Sequence, residues 1–360
     1  MGLMGKFAFS TSLDPVYQPG LWDHRLSLSG WVANFNHRAA MRSLKNDSQH
    51  LNEVSIFGVG ATMGGELAPE TDFIEAALAV TKRLNPQQKI LLTVANIRPH
   101  RVQDRWLLRR WLGTEEKRAK HIQDLMSLAA PFDGLDIDYE NLTPIDARCF
   151  ERFLVVLGQA LHAQGKILTV TVEHETLMSG MIHWNRVDSA VDRVRVMAYQ
   201  YHYERTSPGS VAPPWRVRRL VQRALVEIPS RKLEIALPMY GYDWSSTGIT
   251  TTVPTLGQFR RLTRKPRARV FRTSRTHAAR IDYDVTNVKN GRSQRVHHEV
   301  WFEDPESVAY KVRMLQELGI SHIGFWQLGA GGISELFNLV RGPENTQKNE
   351  VRQTSFKSID

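Results

Sequence analysis

Eight short β-branched or apolar runs, each followed by a stretch of helical period, recur along the chain, and this alternation limits the fold more than any other feature. Strands are expected at residues 30–34, 54–59, 89–95, 133–138, 167–172, 194–199, 233–237 and 321–326. Such units joined by right-handed crossovers make a parallel sheet, and eight of them close into an α/β fold, the (β/α)8 TIM barrel. The helices carry their own signals. Thr143, Pro144 and Asp146 supply an N-cap, a first-turn proline and an acid at the third helical position. Phe150, Phe153, Leu154, Leu157 and Leu161 then share one face until Gly165. Val217, Leu220, Val221, Ala224, Leu225 and Ile228 repeat the spacing ahead of Pro229, and Asp304-Pro305 opens a helix whose inner face is Val308, Val312 and Leu315.

The barrel is expected over residues 29–341, with one small β-rich insertion, residues 245–298, between the seventh strand and its helix. Here "ARIDYDV", the turn pair Asn290-Gly291 and "HHEVWFE" predict a hairpin. The tail, residues 342–360, has almost no apolar content and is expected to be disordered. With 360 residues, 42% hydrophobic and 23% charged, the chain has the composition of a globular protein with a sizeable core. No apolar run approaches the roughly 18 residues of a membrane span. The start, "MGLMGKFAFSTS", lacks the apolar stretch of a signal peptide, so no targeting segment is expected. The lone Cys149 has no internal disulfide partner and falls in an apolar helical stripe, which predicts a core position.

The net charge of +10 has a local origin. Arg260, Arg261, Arg264, Lys265, Arg267, Arg269, Arg272, Arg275 and Arg280 lie in one segment without an acid. It reads as a solvated surface insertion, or as a patch for an anionic polymer such as a cell wall. Only Phe259 and Phe271 interleave the basic residues, and no nucleic-acid motif accompanies them.

Against this positive balance, "FDGLDIDYEN" places four acids within eight residues. Side chains alternate along a strand, so Asp136, Asp138 and Glu140 share one direction and Ile137 and Tyr139 the other. The segment falls at the carboxyl end of the fourth strand, where barrels of this kind carry their active sites. Crowded carboxyls repel when ionised, so at least one should hold a proton near neutral pH, as a general acid must. A helix cap needs fewer acids, and a divalent cation would want a cluster of partner ligands that the sequence does not offer.

These residues resemble the DxxDxDxE signature of glycoside hydrolase family 18, with Asp133, Asp136, Asp138 and Glu140 at its four positions. "MAYQYHY" is similar to the family's MxYD motif on the sixth strand, "LPMYGYDW" to its seventh-strand end, and "IGFWQLG" to its eighth strand with the floor tryptophan at Trp326. With "VWFEDPES" and "SGWVANFNHRAA", the likeness is to the branch of bacterial spore-cortex and cell-wall hydrolases.

The resemblance implies a retaining glycosidase without an enzyme nucleophile, needing no metal or cofactor, that cleaves β-1,4 linkages of N-acetylglucosamine-containing glycans, chitin or peptidoglycan. A non-hydrolytic, lectin-like binder on the same fold is the alternative. Glu140 would protonate the glycosidic oxygen while the substrate's own acetamide attacks the anomeric carbon. Asp138 would orient the acetamide N–H, Asp136 would share a proton with Asp138, and Tyr199 would donate to the acetamide oxygen. Trp326 would stack beneath the sugar, with Met197, Gln200 and Tyr240 as further substrate contacts. Two positions depart from the pattern. Gln200 stands where MxYD has Asp, and the third strand reads "LLTVANIRP" in place of SxGG.

Overall fold

The structure is a computed structural model that describes residues 26–99, 102–289 and 292–341. The turn pair Asn290-Gly291, the tail from 342 and the N-terminal stretch read for a targeting signal lie outside the described residues.

Eight parallel strands run in chain order as Ser27–Ala33, Glu53–Ala61, Lys89–Ala95, Gly134–Asp138, Ile167–Glu173, Arg193–Met197, Leu233–Pro238 and His322–Trp326. Each pairs with the next, and the first pairs with both the second and the eighth, so the sheet closes on itself. This is the (β/α)8 barrel expected from the alternation, and its carboxyl ends form one mouth. The sixth strand stops two residues short of expectation because the chain leaves the ladder there, with Gln200 in the left-handed region at φ 63°.

The interior of this barrel is polar where branched aliphatics usually fill it. Arg195 is fully buried inside and pairs with Glu53, Glu234 and Asp136, the last at 3.3 Å. Its guanidinium also lies 4.8 Å from the centre of the Trp31 ring. Arg193 closes the same group from below, 3.0 Å from Glu234 and 3.2 Å from Glu53. The intervening Val194 and Val196 face the helices and are equally buried. Paired charges of both signs are what makes so many ionised groups tolerable away from water.

The outer helices pack as their stripes require. In the helix Pro144–His162, Asp146 accepts the Thr143 backbone N–H at 3.1 Å, and Phe150, Phe153, Leu154, Leu157 and Leu161 are fully buried. Two readings need correction. Leu225 is exposed, because the helix Pro214–Ala224 ends before it and turns its next residue outward. Cys149 is half-buried, on the margin of its helix's inner face and not in the core.

Between the seventh strand and the helix Pro305–Glu317 the chain builds a five-stranded antiparallel sheet. Its long hairpin, Ala279–Lys289 with Arg292–Phe302, is the one expected from sequence. The sheet begins earlier and ends later than the expected 245–298, since Gly241–Ser245 already pairs with Arg292–Phe302. Leu256, Phe259, Ile281, Tyr283, Val300 and Phe302 give it a small core of its own. The basic run lies here, and part of its charge is matched by acids outside the run. Arg260 meets Glu335 at 2.6 Å, Arg272 meets Asp304 at 2.5 Å, and Arg280 meets Asp282 at 2.8 Å. Among the described residues no helix is long and apolar enough to cross a membrane.

Candidate active site

The fourth strand ends at Asp138, and the pleat sends its alternate side chains to opposite sides. Tyr139 goes outward into an aromatic cluster, 5.4 Å from Trp111 and 5.9 Å from Phe153, with its hydroxyl 2.6 Å from His121 Nε2. Burial lowers the His121 pKa to about 3, so the ring is neutral and serves packing. This anchoring fixes which way Asp136, Asp138 and Glu140 face.

Asp136 is fully buried within the barrel. Its Oδ2 accepts from Trp31 Nε1 and Thr93 Oγ1, both at 2.9 Å, and its Oδ1 from Thr169 and Thr171 Oγ1, both at 2.8 Å. These four donors, with the Arg195 guanidinium 3.3 Å from Oδ2, surround the carboxylate. Asp138 contrasts with it: Oδ1 is buried and has no hydrogen-bond partner among the described residues. Burial, then the charges of Glu140, Asp136 and Glu173, hold the Asp138 pKa well above the usual carboxylate range.

Glu140 lies just past the strand end, half-buried. Burial first and the Glu173 charge second push its pKa up to about 7, against a hydrogen bond from Gln103 Nε2 at 3.2 Å that lowers it. A carboxyl that keeps its proton near neutral pH is the form a general acid needs. Tyr199 is buried beside these acids, and burial holds its pKa well up, so its hydroxyl remains a donor.

A cavity of about 460 Å³ opens at the mouth. Asp138, Glu140, Met197, Tyr199, Gln200 and Trp326 of the expected residues line it. Two others do not. Asp136 sits beneath the lining, and Tyr240 is buried behind Tyr199, its ring centre 6.2 Å away. Trp326 is braced edge-on by Phe57 at 5.3 Å, Phe35 at 5.8 Å and Trp31 at 6.1 Å, which leaves a face to the cavity. A larger hollow of about 910 Å³, between the helices Glu115–Ala129 and Pro144–His162, contains none of the signature acids.

Several lining residues were not read from sequence: Phe35, Phe57, Gln103, Glu173, His174 and Glu175. For Glu173 a signal existed, since Thr169, Thr171 and Glu173 alternate along "LTVTVE" and so share the inward direction with a polar barrel. The departure at the third strand also resolves. Thr93 faces Asp136, and Asn96 binds the main chain of Glu140.

Comparison with known proteins agrees with this geometry. The family model for glycosyl hydrolases family 18 matches residues 67–331. YdhD of Bacillus subtilis (strain 168), whose name describes a sporulation-specific glycosylase, is 29% identical over 301 residues, covering 81% of this chain and 69% of that protein. The cortical fragment-lytic enzyme of the same organism is 25% identical over 320 residues, covering 83% and 71%. Among solved structures, a chitinase from Chromobacterium violaceum superposes with a TM-score of 0.75 at 20% identity, covering 88% of this chain and 100% of that one. A carboxyl ladder at the mouth of a closed barrel, inside a family match that spans most of the chain, leads to one conclusion: the chain belongs to glycosyl hydrolases family 18 and is a glycosidase.

Proposed function

We propose that the enzyme cleaves β-1,4 linkages of N-acetylglucosamine-containing glycans, chitin-type or peptidoglycan, with retention and with the substrate's own acetamide as nucleophile. The observation that carries this reading is the pairing of Glu140, its pKa raised to about 7, with Asp138, whose buried Oδ1 has no hydrogen-bond partner among the described residues. Glu140 gives its proton to the glycosidic oxygen. The acetamide oxygen then closes on the anomeric carbon, and the resulting oxazolinium ring is opened by water with Glu140 as base. Asp138 supplies the missing acceptor for the acetamide N–H, and its proximity to negative charge favours the cationic ring. Tyr199 donates to the acetamide oxygen, and Trp326 lies under the sugar.

Arg261, Arg264, Lys265, Arg267 and Arg275 are exposed and make no ion pair among the described residues. They are the part of the basic segment left to meet an anionic wall polymer, an attraction that salt would weaken.

Turnover of matched acetylated and deacetylated oligosaccharides tests the mechanism. The deacetylated sugar at the cleavage point should react far more slowly, since a free amine cannot close the ring. A bicyclic thiazoline that copies the ring should compete tightly. Glu140→Gln should lose about 10²- to 10⁴-fold in rate while still binding sugar. Equal rates on both substrates with no thiazoline inhibition would sink the acetamide mechanism, and binding with no turnover by the wild type would leave a lectin.

A further inference from the structure

The hydrogen-bonded register between the third and fourth barrel strands ends at Ala95 opposite Asp138. Glu140, two residues further on, lies past the last backbone pairing on either side. The side chain of Asn96 takes that place. Its Oδ1 accepts the Glu140 N–H at 2.8 Å, and its Nδ2 donates to the Glu140 C=O at 3.0 Å. A side-chain amide here continues the ladder beyond the point where backbone pairing stops. Asn96 is completely buried, and the chain folds back over it, with the Asp104 N–H bonded to the Asn96 C=O at 2.8 Å. On the other side of Glu140, Asn141 is left-handed at φ 59° and its N–H is bonded to Glu173 Oε2 at 2.9 Å. The peptide units on both sides of Glu140 are therefore fixed by side chains at the ends of the neighbouring strands, Asn96 just past the third and Glu173 closing the fifth.

We propose that Asn96 is a positioning residue for the general acid: it clamps the main chain of Glu140 so that the carboxyl meets the leaving oxygen. The inference rests on the general-acid reading of Glu140 given above. Proton transfer requires hydrogen-bond reach at the moment of cleavage, so a freed loop loses rate without losing the sugar site. A merely structural Asn96 would lower stability and leave the remaining rate constants in proportion.

Leaving-group dependence separates the two. The variants Asn96→Ala, Asn96→Asp and Glu140→Gln are compared with the wild type by kcat/KM, which reports bond cleavage, near pH 5. One substrate is a chito-oligosaccharide, whose sugar leaving group needs a proton. The other is the dinitrophenyl glycoside of the same N-acetylated sugar, which departs without one. For Asn96→Ala, kcat/KM on the oligosaccharide should fall about 10- to 100-fold, with less than about threefold change on the aryl glycoside and unaltered thiazoline affinity. Asn96→Asp keeps the shape and the acceptor, so it should show the same asymmetry to a smaller degree, and it serves if Asn96→Ala does not fold. Equal losses on both substrates, or wild-type rates on both in a folded variant, overturn the proposal. The control distinguishes its failure from that of the underlying reading. Asymmetry in Glu140→Gln without any in the Asn96 variants refutes the clamp alone, whereas no asymmetry in Glu140→Gln refutes the general acid itself.

Discussion

Glu140 keeps its proton partly because another carboxylate stands close by. After burial, the charge of Glu173 is the largest influence raising its pKa to about 7. Glu173→Gln removes that charge but leaves an oxygen to accept the Asn141 N–H. The alkaline limb of the kcat/KM profile should therefore move to lower pH. Activity near pH 8 should drop by about two- to threefold, with activity near pH 5 unchanged. A profile that coincides with the wild type would show that Glu173 is too well screened to act. Single residues also show where sequence reasoning reaches its limit. The signature acids were legible because four carboxyls in a short strand have few structural uses. Asn96 was not, because one amide after a strand carries no pattern, and its partner lies 44 residues away. Arg195 was hidden for another reason. In "RVRVM" hydropathy alone suggests that the valines face the core, but both sides of a barrel strand are buried, so polarity does not reveal which side is the lumen.

At the level of elements, the helix Pro144–His162 shows packing overriding propensity. Gly158 lies in its middle, where alanine would ordinarily stabilise by about 0.5–1 kcal/mol. A Cβ there would stand 2.3 Å from the Ala190 carbonyl oxygen, a backbone atom that cannot step aside. The clash should win, so Gly158→Ala is expected to cost about 1–3 kcal/mol, read as a lower urea midpoint with an unchanged slope. A stabilised variant would mean that the segment around Ala190 yields easily. The eight barrel strands were legible because each is a compact run of branched residues bounded by helical period. The outer insertion strands Thr250–Val253 and Arg269–Arg272 were not. Nearly all their residues are exposed or only half-buried, so no alternation of polarity marks them.

For the whole molecule, the crowded acids tie stability to pH. The folded state holds the Glu140 proton up to about pH 7, whereas an unfolded chain releases it near the ordinary value of 4.5. The contribution is therefore complete below about pH 4.5 and lost as pH rises to about 7. Asp138, also raised, acts in the same direction. Discounted for the partial exposure of Glu140, its share is about 2 kcal/mol. Glu140→Gln should thus be more stable than the wild type by about that amount near pH 8, and indistinguishable from it near pH 4. Urea unfolding at the two pH values checks this, and a difference that does not vary with pH would contradict it. The insertion has a different consequence for the whole. Its first and last strands are hydrogen-bonded to each other, with Gly241 opposite Phe302 and Ser245 opposite His298. The barrel is thus left and rejoined through a single doorway only one strand spacing wide. Whatever lies beyond that doorway places little entropic demand on the barrel, because closure is already made at the threshold. The segment between them can therefore change in length, as a replaceable attachment, at little cost to closure of the barrel strands on either side.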